Sequence, residues 1–511
     1  MVGVPGRSKA CITCRRRRKG CDLKTPSCGQ CERMGIMCGG YDPDRMWINH
    51  AVVPTQTATR PRPASQTQHS STIAQDNAVT VRAASTQTHN FLCLAATSRP
   101  SLTASAYAAN TIETFFSMWN PDTDNNAVDK AELLRFDGFE NVMSKLYVQD
   151  EALKLLLLAL GTGLLGKNTD DVALVRQGRV LYGRGLKEMS TALASRRRVR
   201  SEALLAVPRV AGLFEILFGA DPDTTVQAQS YVSHAHGLIT MYTNRGPESY
   251  TDGVAHNLFS DGRKTVIISD IRARKPSILN ETAWKIIPWT KHAKTPKDLL
   301  FDIFAGIPEI LSRIDTLDTL DPTSHASAQL RASTLRACKT LETQMRFWTS
   351  INENLVAPMV RDEPTPIFFP DRAQAYLTVN YWCLALYIYQ SIQTLIIPDS
   401  SSTVSQYPSP IIFARLIARS TPYFFDPGKG IWGALTVAFP IGMALLALRR
   451  SRDEEDTKYI KIVIDEWRSP KIPNCIKAFL DSMRGQAAAN WLKKGWSKER
   501  VSEMFLGGKD V

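Results

Sequence analysis

Six cysteines near the N-terminus constrain this chain more than any other feature. They fall into two copies of one pattern, Cys11, Cys14 and Cys21, then Cys28, Cys31 and Cys38, each Cys-x2-Cys-x6-Cys and offset by 17 residues. Zinc takes four tetrahedral ligands, so two zinc ions present eight ligand positions, and six thiolates fill all eight if two of them bridge both metals. Between the second and third cysteines lie Arg15, Arg16, Arg17, Arg18 and Lys19, five consecutive cations held against that core. Cations fixed on a small metal module point to DNA. Three disulfides are a poorer reading, because the N-terminus has no apolar signal region and is basic from Arg7 onward. A single four-cysteine zinc site accounts for the Cys-x2-Cys pairs but leaves Cys21 and Cys38 without a role.

On these residues the sequence resembles the fungal Zn2Cys6 binuclear cluster transcription factors. The family's order is Cys-x2-Cys-x6-Cys, a loop usually holding proline, then Cys-x2-Cys and a last cysteine; here the loop is 22–27, with Pro26 in place. The resemblance implies that Cys11 and Cys28 are the bridging ligands. It also implies two short helices related by a pseudo-two-fold, the first entering the major groove with its C-terminal end to read a CGG-type triplet. Cations in the last turn of a helix complement its dipole. The family's base-contacting position falls on Arg18, with Arg17 beside it, and arginine can pair bidentately with guanine O6 and N7. Arg15, Arg16 and Lys19 are better placed for phosphates. Without the cysteines, the same run would read equally well as a solvated helix face or a nuclear import signal.

Charge follows the same division. Residues 1–45 hold ten Lys/Arg against four Asp/Glu, while the whole chain of 511 residues carries a net charge of +13. Two Zn²⁺ with six thiolates contribute a formal −2, about a third of the +6 on the side chains, and leave the module basic. Attraction to a polyanion is therefore concentrated at the N-terminus. Residues 50–106 then contain four arginines, one aspartate, no lysine, and prolines 54, 61, 63 and 100 among many Thr, Ser, Gln and Ala. This composition predicts a flexible linker. It lacks the apolar heptads of a coiled coil, so any dimerisation must arise elsewhere.

From about residue 107 onward the chain reads as helical. Segments 131–166, 172–194, 226–243, 330–355, 371–397 and 433–450 are long and apolar or amphipathic, separated by Pro, Gly and Asp/Ser breaks. One short strand pattern stands out, Thr265 to Asp270. Some 400 residues suffice to bury a substantial core. Parts of this region resemble the helical fungal-specific transcription factor domain of the second type. They are Cys38 to Tyr41 with Trp47 to Asn49, His234 to Gly237, Arg245 to Ser249, His256 to Phe259, Trp284 to Trp289 and Gly430 to Gly433. That family domain is regulatory, and no catalytic residues are attributed to it.

Other features invite different readings. Gly161-Thr-Gly-Leu-Leu-Gly166 matches a dinucleotide fingerprint, but that motif needs a strand before it and a helix opening at it. Asp150 to Leu160 instead reads as a helix, ended by the glycines, with residues 167–171 as a loop. His234 and His236 stand about 200° apart around an ideal helix, which disfavours a shared metal. Cys93, Cys338, Cys383 and Cys475 are too widely spaced for a redox pair. Residues 430–448 are uncharged and long enough to raise a membrane span, but Pro440 interrupts them; they and 373–398 read as core helices. Arg196 to Arg200 reads as basic surface or an auxiliary import signal.

The expectation is a small zinc-stabilised Zn2Cys6 module at residues 1–45, a largely disordered linker at 46–106, and a large all-α regulatory region at 107–511. Its predicted function is sequence-specific, zinc-dependent DNA binding in the nucleus, with no enzymatic activity. The expected partners are double-stranded DNA, coregulators or the transcription machinery, and a second copy of the chain through the helical region; no membrane is expected. Secondary-metabolite gene clusters are the target class that the resemblance implies. The competing reading is a helical scaffold or corepressor whose zinc module does not bind DNA specifically.

Overall fold

A computed structural model describes most of residues 11–38 and, apart from isolated positions, residues 102–119, 142–219, 224–357, 363–396 and 406–481. The expected linker lies outside the described residues as far as residue 101, as do Cys93 and Cys475. The chain divides into two compact units, residues 1–80 and 81–511. In the first, α1 (Gly29–Arg33) follows Cys28, and the buried cysteines are its core. The second is all-α: among the described residues there is no strand.

Among the described residues its helices include α2 (Leu102–Trp119), α3 (Glu151–Asn168), α4 (Val172–Ala194), α5 (Glu202–Phe218), α6 (Thr224–Arg245) and α7 (Gly253–Ala273). There follow α8 (Thr282–Ile286), α9 (Pro296–Phe304), α10 (Ile307–Leu317), α11 (His325–Ile351), α12 (Arg372–Leu395), α13 (Pro410–Phe424), α14 (Gly430–Ser451) and α15 (Asp456–Arg468). Aspartates begin several of them: Asp150, Asp171 and Asp371 each accept a backbone N–H in the first turn of α3, α4 and α12, which satisfies donors that a helix start leaves unpaired. At the centre runs α12, with eighteen of its twenty-four residues buried. A helix apolar all round must be covered on every side, and α11, α13 and α14 pack against it.

The glycines of 161–166 do not end a helix, because α3 runs through them to Asn168. A Cβ at Gly161 would overlap the Thr111 carbonyl of α2, and one at Gly163 would stand 2.8 Å from the Phe218 ring of α5. Their lack of a side chain lets two neighbours approach α3 closely, which offsets the roughly 1 kcal/mol that glycine costs a helix. Thr265 to Asp270 is likewise helical, inside α7. Its β-branched run suggests a strand, but Val266, Ile267 and Ile271 lie on one buried helical face, and packing overrides local propensity. Nor does Pro440 interrupt α14. Proline cannot donate to the carbonyl four residues earlier; that carbonyl, Thr436 O, instead accepts from Lys264 Nζ of α7 at 3.0 Å.

Helix α14 is long and apolar enough to cross a membrane by composition. One flank is nevertheless buried, through Ile431, Val437, Ile441, Ala444 and Leu448, where α14 packs on α13. Tyr242, Tyr250, Phe259, Trp284 and Trp289, which flank or belong to the short motifs noted above, converge on one knot. Its ring centroids lie 5.0 Å apart for Tyr250 and Phe259 and 5.5 Å for Phe259 and Trp289. Beside it Arg263 is fully buried: it donates to Asp298 O at 3.0 Å, pairs with Asp302 and lies 4.6 Å from the Trp289 ring. Cys338 and Cys383 are buried free thiols.

Candidate metal centre and nucleic-acid interface

The two cysteine copies fold alike. Cys14 N–H donates to Cys11 Sγ at 3.3 Å, and Cys31 N–H to Cys28 Sγ at 3.3 Å. Cys11 N–H donates to Cys21 Sγ at 3.4 Å, and Cys28 N–H to Cys38 Sγ at 3.4 Å. Even the turn that closes each half repeats, Lys19 N to Cys14 O and Ile36 N to Cys31 O, both 3.1 Å. Each contact maps onto its counterpart by the 17-residue offset of the sequence. N–H groups aimed at sulfur stabilise the thiolate form and fix its direction.

All six cysteines meet in one place. Two overlapping sets, Cys11, Cys14, Cys21, Cys28 and Cys11, Cys28, Cys31, Cys38, each bring four sulfurs within 4.8 Å of one another. The shared members are Cys11 and Cys28, the pair that the sequence resemblance marks as bridging. Sulfur separations are 3.6 Å for Cys11–Cys28 and Cys14–Cys28, and 3.8 Å for Cys11–Cys31. Zinc–sulfur bonds of about 2.3 Å at the tetrahedral angle would set sulfurs about 3.8 Å apart. These distances fit metal thiolates, and no disulfide joins the six. Desolvation and the adjacent sulfurs push the Cys14 thiol up to about 12 and raise Cys31 as well. Six thiolates so crowded need cations among them, which two Zn²⁺ supply.

The basic run is described in part. Arg17 and Lys19 are exposed, and Arg17 N–H donates to Thr13 O at 3.1 Å. Arg15, Arg16 and Arg18 lie outside the described residues. Asp22 has a role that sequence reading missed: its Oδ1 accepts from Gly29 N at 3.0 Å, at the start of α1. Aspartate is a common cap, but one placed seven residues ahead of the donor gives no local signal.

The alternative sites do not assemble. His236 is exposed, while His234 Nε2 lies 2.9 Å from Tyr182 OH, which donates to Glu215. That is a packing network between α4, α5 and α6. In the second basic cluster Arg198 pairs with Asp150 at 2.9 Å and Glu188 at 2.6 Å, while Arg196, Arg197 and Arg200 are exposed.

Residues 9–48 match the family described as the fungal Zn(2)-Cys(6) binuclear cluster domain. An uncharacterized protein of Emericella nidulans is 25% identical over 182 residues, 34% of this chain and 38% of its own length. Arginine metabolism regulation protein II of Saccharomyces cerevisiae is 47% identical over 45 residues, 8% of this chain and 5% of its own. Pestheic acid cluster transcriptional regulator 3 of Pestalotiopsis fici is 47% identical over 47 residues, 9% of this chain and 8% of its own. The matched stretches thus span well under half of each relative. No solved structure matches the chain significantly. With its six thiols arranged for two metals and the family match lying over them, this chain carries a fungal Zn(2)-Cys(6) binuclear cluster domain, the two-zinc module of a family of fungal transcription regulators.

Proposed function

We propose that this protein is a sequence-specific transcription regulator that acts in the nucleus, reads a CGG-type triplet through its zinc module and controls a secondary-metabolite gene cluster. The observation that carries the reading is the pair of overlapping four-sulfur sets, with Cys11 and Cys28 in both, and with the cations Arg15 to Lys19 between Cys14 and Cys21 in sequence. In this reading all six cysteines are zinc ligands, Arg18 and Arg17 face base edges, and Arg15, Arg16 and Lys19 hold phosphates. The helical region would serve regulation and self-association rather than catalysis. That one relative is named for a pestheic acid cluster supports the target class.

Competition binding tests the proposal. Zinc-loaded protein should prefer a CGG-containing duplex over a scrambled one by at least about a thousandfold at fixed salt, the low end for specific readers. Equal affinity for both duplexes would overturn it and favour a scaffold with a merely basic patch.

A further inference from the structure

The helical unit contains a partly open cavity of about 1200 Å³, a little beyond the roughly 300–1,000 Å³ of ordinary ligand pockets. Its walls come from α2, α5, α6, α7, α9, α10, α12, α14 and α15, so it lies between packed elements and not on one helix face. Rings line it, among them Tyr376, Tyr387, Trp432 and Phe439. Charge is the second property. Among the described lining residues eight are Arg or Lys and four are Asp, and two of those acids are already engaged, Asp261 with Lys297 and Asp315 with Arg274.

Lys264 ties the two properties together. One of its donors serves Thr436 O, the carbonyl that Pro440 leaves without its helical partner, and its ammonium lies 4.9 Å from the Tyr376 ring centroid. Neither neighbour carries a negative charge, and an ammonium has three donors to place. Lys264 is half-buried, and desolvation pulls this group down to about 8. The wall as a whole is therefore apolar, ring-rich and cationic.

We propose that this cavity binds a small organic anion, a carboxylate or sulfonate on a flat apolar body, with Lys264 at the anionic end. The site belongs to the helical unit and stands independently of whether the zinc module reads CGG. Charge-assisted hydrogen bonding to a half-buried ammonium favours the anion over its neutral counterpart, and the rings supply flat apolar surface for its body.

The test uses full-length, zinc-loaded protein and two fluorescent probes that share one ring system, anilinonaphthalene sulfonate and the uncharged phenylnaphthylamine. The sulfonate should saturate at one site per chain and bind about tenfold more tightly than the neutral probe, a difference set by the added charge. Two variants separate site from fold. Gly442 lines the cavity at an exposed position, and a Cβ there meets nothing within 4 Å, so Gly442→Phe should narrow the space, weaken binding of both probes and leave circular dichroism and melting unchanged. Lys264→Met should remove the preference for the sulfonate and keep the neutral probe; if that variant fails to fold, Gly442→Phe still decides. Non-saturable binding, equal affinity for the two probes, no binding of either, or undiminished binding to a folded Gly442→Phe protein would each overturn the proposal.

Discussion

Cys11 and Cys28 belong to both four-sulfur sets, whereas Cys14, Cys21, Cys31 and Cys38 each belong to one. Removing a terminal ligand should therefore differ from removing a shared one. Cys14→Ala or Cys31→Ala should lower bound zinc below two per chain and leave residual metal. Cys11→Ala or Cys28→Ala should strip both ions; elemental analysis after gel filtration reads the stoichiometry, and equal losses from all four variants would contradict the shared arrangement. The cations obey a second distinction. Arg18→Ala should cost about 1–3 kcal/mol on the cognate triplet and relax preference within it, while Arg16→Ala should weaken all sequences alike. Competition with single-base variants of the site separates the two effects. The clustering of the six cysteines was legible in the sequence, because metal ligation needs fixed residue types at fixed spacing. Asp22 was not legible, because its partner Gly29 is brought near only by the folding of the loop between them.

Helix boundaries and interiors follow less directly from residue type. Val172–Ala194 was readable to the residue because Asp171 caps one end and the amphipathic pattern stops at the other. Glycine and proline misled in α3 and α14, where close packing on Gly161 and Gly163 and a lysine from α7 at Thr436 replace what those residues take from a helix. Neighbours that arrive from distant sequence cannot be read locally. Gly163→Leu should accordingly destabilise the helical unit by roughly 1–3 kcal/mol through overpacking against Phe218. Gly183→Ala, at an exposed position of α4 where a Cβ meets nothing, should stabilise it by about 0.5–1 kcal/mol; urea melts of the two variants should move in opposite directions. The α7–α9 contact adds a pH dependence. Burial opposes ionisation of Asp298, yet Lys297 and Arg263 beside it hold its carboxyl down at about 2. A depressed carboxylate contributes stability above its unfolded value of about 3.9, and loses it as pH falls through the folded one. Denaturant midpoints should thus drop between about pH 4 and 2, and Asp298→Asn should flatten that drop.

The two units of the chain should fail separately. The zinc module has a core of cysteines and few apolar side chains, so metal must supply its folding energy, roughly 10–16 kcal/mol for a structural site. The helical unit has its own extensive apolar core. A chelator should then abolish DNA binding and the order of the module, while the helical circular dichroism persists; loss of both together would contradict the division. A fragment of residues 1–60, which has no heptads, should sediment as a monomer and protect one triplet. Full-length protein should gain affinity on two-triplet duplexes only by self-association through the helical unit, which raises the effective concentration of a second module. Fold class was legible from composition and periodicity, but the cavity was not, since its walls are drawn from nine helices that sequence does not place side by side. The matched bonding of the two cysteine halves has one further consequence. The scaffold repeats itself by a 17-residue step, yet Arg15 to Lys19 follow Cys14 while Glu32, Arg33, Met34, Gly35 and Ile36 follow Cys31. A near-symmetric metal cage thereby acquires a head and a tail, and under the proposed function the module would meet the strand polarity of a duplex in one sense only.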